Sequence, residues 1–139
     1  MKNLSSLFVL SLILLTSLCC SQELNPFVGS WEMVSYKEIW PDTTLTGDTS
    51  TLQSIKVLSS THFALATVNP KDSSFRHGGA GSYSYSEDKY IENILYFSVP
   101  IMIGKSYDYE YKFEGDTWTI AGDLEEFNLR IEEVWRRLK

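Results

Sequence analysis

The chain has 139 residues, of which 18 are acidic and 12 are Lys or Arg, so its formal net charge is −6. This acidic balance argues against binding to nucleic acid or to anionic lipid, because both need clustered Lys and Arg. The length suits one domain, and no repeat, low-complexity tract or linker indicates a second one.

The first segment combines a basic start with an apolar run, which indicates a secretory signal peptide. Lys2 precedes the run 7–15, which only Ser11 interrupts. This run is too short to span a bilayer, which needs roughly 20 apolar residues. Cleavage after Ser21 would remove both cysteines. The sequence therefore predicts a signal peptide over 1–21, a single domain over 22–139, and an exported protein that is periplasmic or secreted.

Lipidation is the alternative fate of this segment. A bacterial lipoprotein signal places a small residue before the modified cysteine, and Leu18 before Cys19 fits that pattern badly. Lipidation at Cys19 or Cys20 would make the protein an outer-membrane lipoprotein, and we expect membrane contact only in that case. A disulfide between these neighbours is unfavourable, since the bridge prefers a wider Cα separation.

Alternation of apolar and polar residues dominates the rest of the chain and predicts a series of β-hairpins. GSWEMVSYK is the first strand, and the polar segment 41–53 is predicted to be a long flexible loop. SIKVL and THFALATV form a hairpin about Ser59–Ser60, and GSYSYS and YIENILYF form the next one. YDYEYKFE and TWTIAG flank a turn at Gly115–Asp116. Asn69–Pro70 and Gly78–Gly81 are predicted loops.

The C-terminal segment gives two conflicting signals. Leu124, Phe127, Ile131, Val134 and Leu138 have the spacing of an amphipathic helix. With this segment, the chain has about eight short strands at hairpin spacing. That pattern predicts a closed antiparallel barrel or a sandwich. We assign LRIEEVWRRL to a strand on the basis of the resemblance that follows.

NPFVGSWEMVSYKEIW resembles the N-terminal signature of the calycin barrels, the lipocalins and fatty-acid-binding proteins. The signature consists of Phe27, Gly29 and Trp31. The whole mature chain, with its G-x-W motif, is similar to small exported lipocalin-like proteins of uncharacterised function from Bacteroidetes. The shared features are a T-H-F strand, G-G-x-G-x-Y, Y-x-E, G-D-x-W and a closing E-E-V-W-x-R.

This resemblance implies an all-β fold, an antiparallel up-and-down barrel of about eight strands. Gly29, Trp31 and Arg137 would close one end of it, with the Arg packed on the Trp ring. Glu133 and Trp135 would point inward. The anion-binding Arg of fatty-acid-binding proteins corresponds to Glu133 here, which argues against a fatty-acid carboxylate as ligand.

The leading functional prediction is a barrel that binds one small hydrophobic or amphipathic ligand without catalysis. Inward carboxylates are costly unless they are paired or protonated, so they indicate a polar or cationic ligand. The alternatives are that they pair with Arg, Lys or Tyr inside a filled core, or that they face solvent. The candidate cavity residues are His62, Tyr83, Glu92, Tyr96, Tyr109, Glu133 and Trp135.

Two other functions stay open. One is a calycin-type enzyme, such as an isomerase, cyclase or hydratase, that uses His62 or Glu92. The other is a filled-barrel interaction protein tethered as a lipoprotein. We expect no metal, because two histidines without cysteine do not make a zinc site. We also expect no cofactor, because a dinucleotide-binding loop needs a helix after its glycines and Gly78–Gly81 lacks one. His77 is predicted to be a loop residue, and the sequence does not determine the oligomeric state.

Overall fold

A computed structural model describes residues 24–139, so the predicted signal peptide and both cysteines lie outside the described residues. The regular secondary structure of this part consists of β-strands, apart from 3-10 turns at Pro100–Met102 and Glu125–Phe127. No helix within it is long and apolar enough to cross a membrane. The strands are β1 Gly29–Ile39, β2 Thr44–Asp48, β3 Gln53–Leu58, β4 His62–Val68, β5 Phe75–Tyr85, β6 Lys89–Phe97, β7 Ser106–Glu114, β8 Thr117–Leu124 and β9 Leu129–Arg137.

Eight of these strands form a closed antiparallel barrel, as the sequence predicted. Strands β3 to β9 follow one another as neighbours, and β1 closes the barrel by pairing with β3 on one side and β9 on the other. The additional strand, β2, pairs with the second half of β1, along the same edge whose first half pairs with β3. Closure leaves the barrel with one interior and two ends.

The prediction of a flexible loop over 41–53 is wrong, because this segment contains β2. Gly47 pairs with Tyr36 of β1, and a Cβ at Gly47 would overlap the Tyr36 ring. The turn that follows is held by Asp48, whose Oδ1 accepts a hydrogen bond from the Ser50 backbone N–H at 2.8 Å. The residues of β2 are mostly exposed, so this strand lacks the alternation of apolar and polar residues by which the other strands were predicted.

The prediction of a loop at Gly78–Gly81 is also wrong, since these residues lie in the middle of β5. A Cβ on Gly79 would overlap the carbonyl oxygen of Tyr96, and one on Gly81 would overlap that of Asn93. The glycines therefore permit close approach of β5 to β6 beside a β-bulge. His77 lies in β5 as well, so its prediction as a loop residue is also wrong.

The C-terminal segment is a strand, as the resemblance implied and against its helical spacing. Strand β9 lies between β1 and β8, with Trp135 opposite both Met33 and Trp118. Tertiary pairing on both edges outweighs local periodicity here. The predicted turn at Gly115–Asp116 is confirmed, and Gly115 has a φ of +60°, which suits glycine.

One end of the barrel, which we call the closed end, is filled by Phe27, Trp31, Phe113, Trp118 and Arg137. The Phe27 ring contacts both Phe113 and Trp118, with ring centroids 5.1 and 5.2 Å apart. The Trp31 indole N–H donates to the Phe27 carbonyl at 2.8 Å. This packing makes the closed end a plug of contacting side chains.

Arg137 covers this plug, as predicted. Its guanidinium carbon lies 4.1 Å from the centre of the Trp31 ring. The guanidinium also donates to the carbonyl oxygens of Val28 and Pro26 at 2.7 and 2.6 Å. Gly29 leaves room for it, because a Cβ there would lie 2.6 Å from Arg137 Nη1.

Candidate functional site

The opposite end of the barrel, which we call the open end, contains a cavity of about 250 Å³. Its outer part is lined mainly by apolar and aromatic side chains, among them Leu65, Phe97, Met102, Phe127 and Ile131. Its deeper part, the floor, has the polar residues Lys56, Glu92 and Glu133 beside Tyr109 and Trp135. The cavity thus joins an apolar entrance to a charged floor.

A buried ion pair lies at the floor. Lys56 Nζ is 2.8 Å from Glu92 Oε1, and the two side chains are only 3% and 5% exposed. The Tyr90 hydroxyl donates to the same oxygen at 2.8 Å. The Lys56 ammonium also lies 4.9 Å from the Trp135 ring centre and 5.4 Å from that of Trp118. Both charges are therefore compensated within the protein.

Glu133 is a second carboxylate at the floor, and it has a different environment. Its Oε2 accepts the Trp135 indole N–H at 2.9 Å. Within residues 24–139 it forms no salt bridge. Burial raises the pKa of Glu133, and the positive charge of Lys56 opposes that rise. The carboxyl remains half-buried because it faces the cavity.

A similar arrangement lies nearer the entrance, on the neighbouring strand. Glu38 Oε2 accepts the indole N–H of Trp40 at 3.4 Å, so two Glu-x-Trp pairs line the cavity. Across β1 and β9, Glu38 faces Ile131 and Glu133 faces Tyr36. Glu38 and Glu133 are therefore diagonal neighbours, and the Cβ atoms of such neighbours lie roughly 7 Å apart. The charge of Glu38 accordingly adds to the rise in the pKa of Glu133.

His77 lies at the entrance and stacks on Phe97, with ring centroids 6.1 Å apart. Burial lowers its pKa, and the charge of Glu38 opposes this effect. The neutral imidazole is therefore favoured near pH 7. His77 brings a donor and an acceptor to the entrance, but no added positive charge.

Four of the seven predicted cavity residues line the cavity: Glu92, Tyr109, Glu133 and Trp135. Tyr83 is buried but lies toward the closed end. Its hydroxyl accepts from Asn25 Nδ2 at 2.8 Å and donates to the Ser59 carbonyl at 2.6 Å. Its role is to fix the segment that precedes β1.

The placement of His62 and Tyr96 in the cavity was wrong. Phe63 and Thr67 of β4 are buried inside the barrel, so His62 lies on the outer face, where its ring pairs with Thr61. Tyr96 is 72% exposed. The β-bulge between Ile94 and Tyr96 shifts the alternation of β6 by one residue, and Phe97 takes the inward position.

Sequence reasoning missed Lys56, Glu38 and His77. In β3 the apolar residues Ile55 and Val57 are 51% and 48% exposed, whereas Lys56 is buried. The usual assumption that apolar residues face inward therefore gives the wrong face. The available signal was the cost of an inward Glu92, which requires a cationic partner.

Comparison with known proteins adds a family. Residues 26–139 match the family model described as "Domain of unknown function (DUF4488)". A search of the curated proteins finds no match to this chain.

Two solved structures are similar to the chain. An uncharacterized protein from Bacteroides eggerthii DSM 20697 is 15% identical, with a TM-score of 0.49 over 81% of this chain and 99% of that chain. Rv2717c from M. tuberculosis is 13% identical, with a TM-score of 0.48 over 85% of this chain and 96% of that chain.

Proposed function

The chain belongs to the DUF4488 family, and we propose that it is an exported, lipocalin-like barrel that binds a small, partly apolar molecule in its interior without catalysis. The observation that carries this proposal is the cavity of about 250 Å³ at the open end. Eight strands enclose enough space for one small ligand. Because the closed end is packed, a ligand has one side from which to enter.

The lining of the cavity supports a ligand of mixed character. Ligand sites are mostly apolar and contain a few well-placed polar groups that orient the molecule. Here Phe97, Phe127 and Ile131 offer apolar surface near the entrance, while Glu133 and Lys56 lie at the floor. A molecule with an apolar body and one polar group would match both parts.

The polar groups suit ligand binding better than they suit catalysis by a calycin-type enzyme. Glu92 already accepts hydrogen bonds from Lys56 and Tyr90, so its carboxylate is engaged within the protein. His62 lies on the outer face, away from the cavity. The cavity likewise favours a ligand carrier over a filled-barrel interaction protein. Export rests on the signal-peptide pattern over 1–21 alone.

Native mass spectrometry of the protein purified gently from its own host tests this proposal. We expect a chain that starts at Gln22 and carries a small-molecule adduct, which denaturation releases. Ile131→Trp would fill the cavity and should abolish the adduct. Val57→Trp adds the same ring on the exposed face of β3 and should leave the adduct in place.

Three results would contradict parts of the proposal. An adduct that persists in Ile131→Trp would place the ligand outside the barrel. A protein that carries no adduct and also fails to bind added apolar molecules would contradict the carrier function. A lipid on Cys19 or Cys20 would replace free export by anchoring.

A further inference from the structure

We propose that the molecule bound in this cavity is an organic amine, whose ammonium group binds the Glu133 carboxylate while its apolar body occupies the outer cavity. This inference rests on the proposed function, because it names the chemical class of the ligand. It follows from the charges, the hydrogen bonds and the aromatic rings of the floor.

The charges around the cavity do not balance. Lys56 and Glu92 neutralise each other at the floor. Lys37, which also borders the cavity, pairs with Glu132 at 3.5 Å. Glu133 and Glu38 have no salt bridge with any described residue. An enclosed carboxylate without a cation is unfavourable, and a cationic ligand would remove that cost.

The hydrogen bonds of Glu133 leave one side of the carboxylate open. Trp135 donates to Oε2, and no described residue donates to Oε1. An ionised carboxylate accepts up to about four hydrogen bonds, and an ammonium donates three. Glu133 lines the same cavity that would hold the apolar body of the ligand.

The barrel already holds one ammonium in comparable surroundings. The Lys56 Nζ binds a carboxylate at 2.8 Å and lies 4.9 Å from the Trp135 ring. Glu133 and Trp135 offer the same two components, a carboxylate and an indole, on the cavity side. Aromatic rings attract organic cations, so this pair suits a second ammonium.

Anionic and neutral ligands fit the floor less well. An anion would meet more carboxylates than cations, because both lysines that border the cavity, Lys37 and Lys56, are already paired. A neutral alcohol would leave the charge of Glu133 uncompensated. The raised pKa of Glu133 agrees with this, since burial makes its charged form less favourable in the absence of a cation.

Three probes with one phenyl body separate these cases: 2-phenylethylamine, 2-phenylethanol and 3-phenylpropionate. Each is titrated into the purified protein at pH 7.5, and the indole N–H signals of Trp40 and Trp135 are followed by NMR. We expect the amine to bind about tenfold or more tightly than the alcohol, as suits a hydrogen bond to a charged group. We expect the carboxylate to bind most weakly.

Matched variants assign the preference to one carboxylate. Glu133→Gln keeps the shape of the side chain and should bring the amine and the alcohol to similar affinities. Glu114→Gln makes the same change at an exposed position of β7, where the side chain pairs with Lys112 and does not line the cavity. It should keep the amine preference. If Glu133→Gln does not fold, acidification of the wild-type protein should reduce its preference by protonating Glu133.

The outcomes distinguish this inference from the proposed function. Equal binding of alcohol and amine to the wild-type protein would overturn the amine assignment and leave the carrier in place. So would an amine preference that survives in folded Glu133→Gln or disappears in Glu114→Gln. Failure of all three probes to bind would count against the cavity as a ligand site.

Discussion

The closed end and the open end of this barrel share the same strands but are filled in opposite ways. At the closed end, Trp31 and Trp118 are fully buried and Arg137 directs its guanidinium to backbone carbonyls. At the open end, Glu38 and Glu133 face a cavity without a cationic partner among the described residues. The difference indicates that packing is concentrated at one end and that the other end keeps carboxylates without a countercharge.

The largest effect should come from truncating the plug. Trp31→Ala should reduce the free energy of unfolding by about 3–5 kcal/mol, since it leaves a cavity inside packed aromatic rings. Phe97→Ala removes a half-buried ring at the cavity entrance and should cost less than half as much. Urea unfolding followed by circular dichroism measures both. Equal losses would show that the two ends do not differ in this way.

The floor ion pair should give the next largest effect, because it lies between the two ends. Lys56→Met leaves Glu92 buried without its cation and should cost about 3 kcal/mol. Replacing both partners, as in Lys56→Met with Glu92→Leu, removes the uncompensated charge and should restore most of that loss. Urea unfolding of the three proteins is the measurement. A double variant as unstable as the single one would mean that the pair itself supplies the stability.

The closed end was the part of the molecule that sequence reasoning predicted best. Its features are large rings at fixed positions in strands whose alternation is regular, such as Trp31 opposite Arg137. The hairpins around Gly115 and Ser59–Ser60 have the same origin, since turn chemistry and period-two patterns are local properties. The resemblance then supplied the one element, β9, whose local pattern indicates a helix.

The open end could be predicted only in part, for two physical reasons. Bulges interrupt the alternation, so Tyr96 and Phe97 exchange faces at a point that no residue type marks. The cavity also tolerates polar residues that a core would not, so the buried Lys56 lies between two exposed apolar neighbours. Both effects depend on partners that are distant in the sequence.

Arg137 permits a smaller test at the closed end. Arg137→Lys should cost about 1–2 kcal/mol, because Lys does not reproduce the two-pronged contact with Val28 and Pro26 while stacking on Trp31. Arg136→Lys is the control, since Arg136 is exposed and pairs with Glu32 on the surface. It should change stability by less than about 1 kcal/mol. Similar losses in both variants would argue against a special role for the Arg on the plug.

The smallest effect is a pH dependence at the open end, and its sign follows from Glu133. The pKa of this carboxyl is raised in the folded protein by burial, so the folded state binds the proton more tightly than the unfolded chain does. Stability from this group is therefore lost as the pH rises through the folded pKa. Glu133→Gln removes the titration, so its gain in unfolding free energy over the wild-type protein should be larger at pH 8 than at pH 5. Urea unfolding of both proteins at the two pH values measures it. A gain that is equal at both values would mean that Glu133 ionises freely, and the cavity would then lack the unsatisfied charge that makes its open end differ from its closed end.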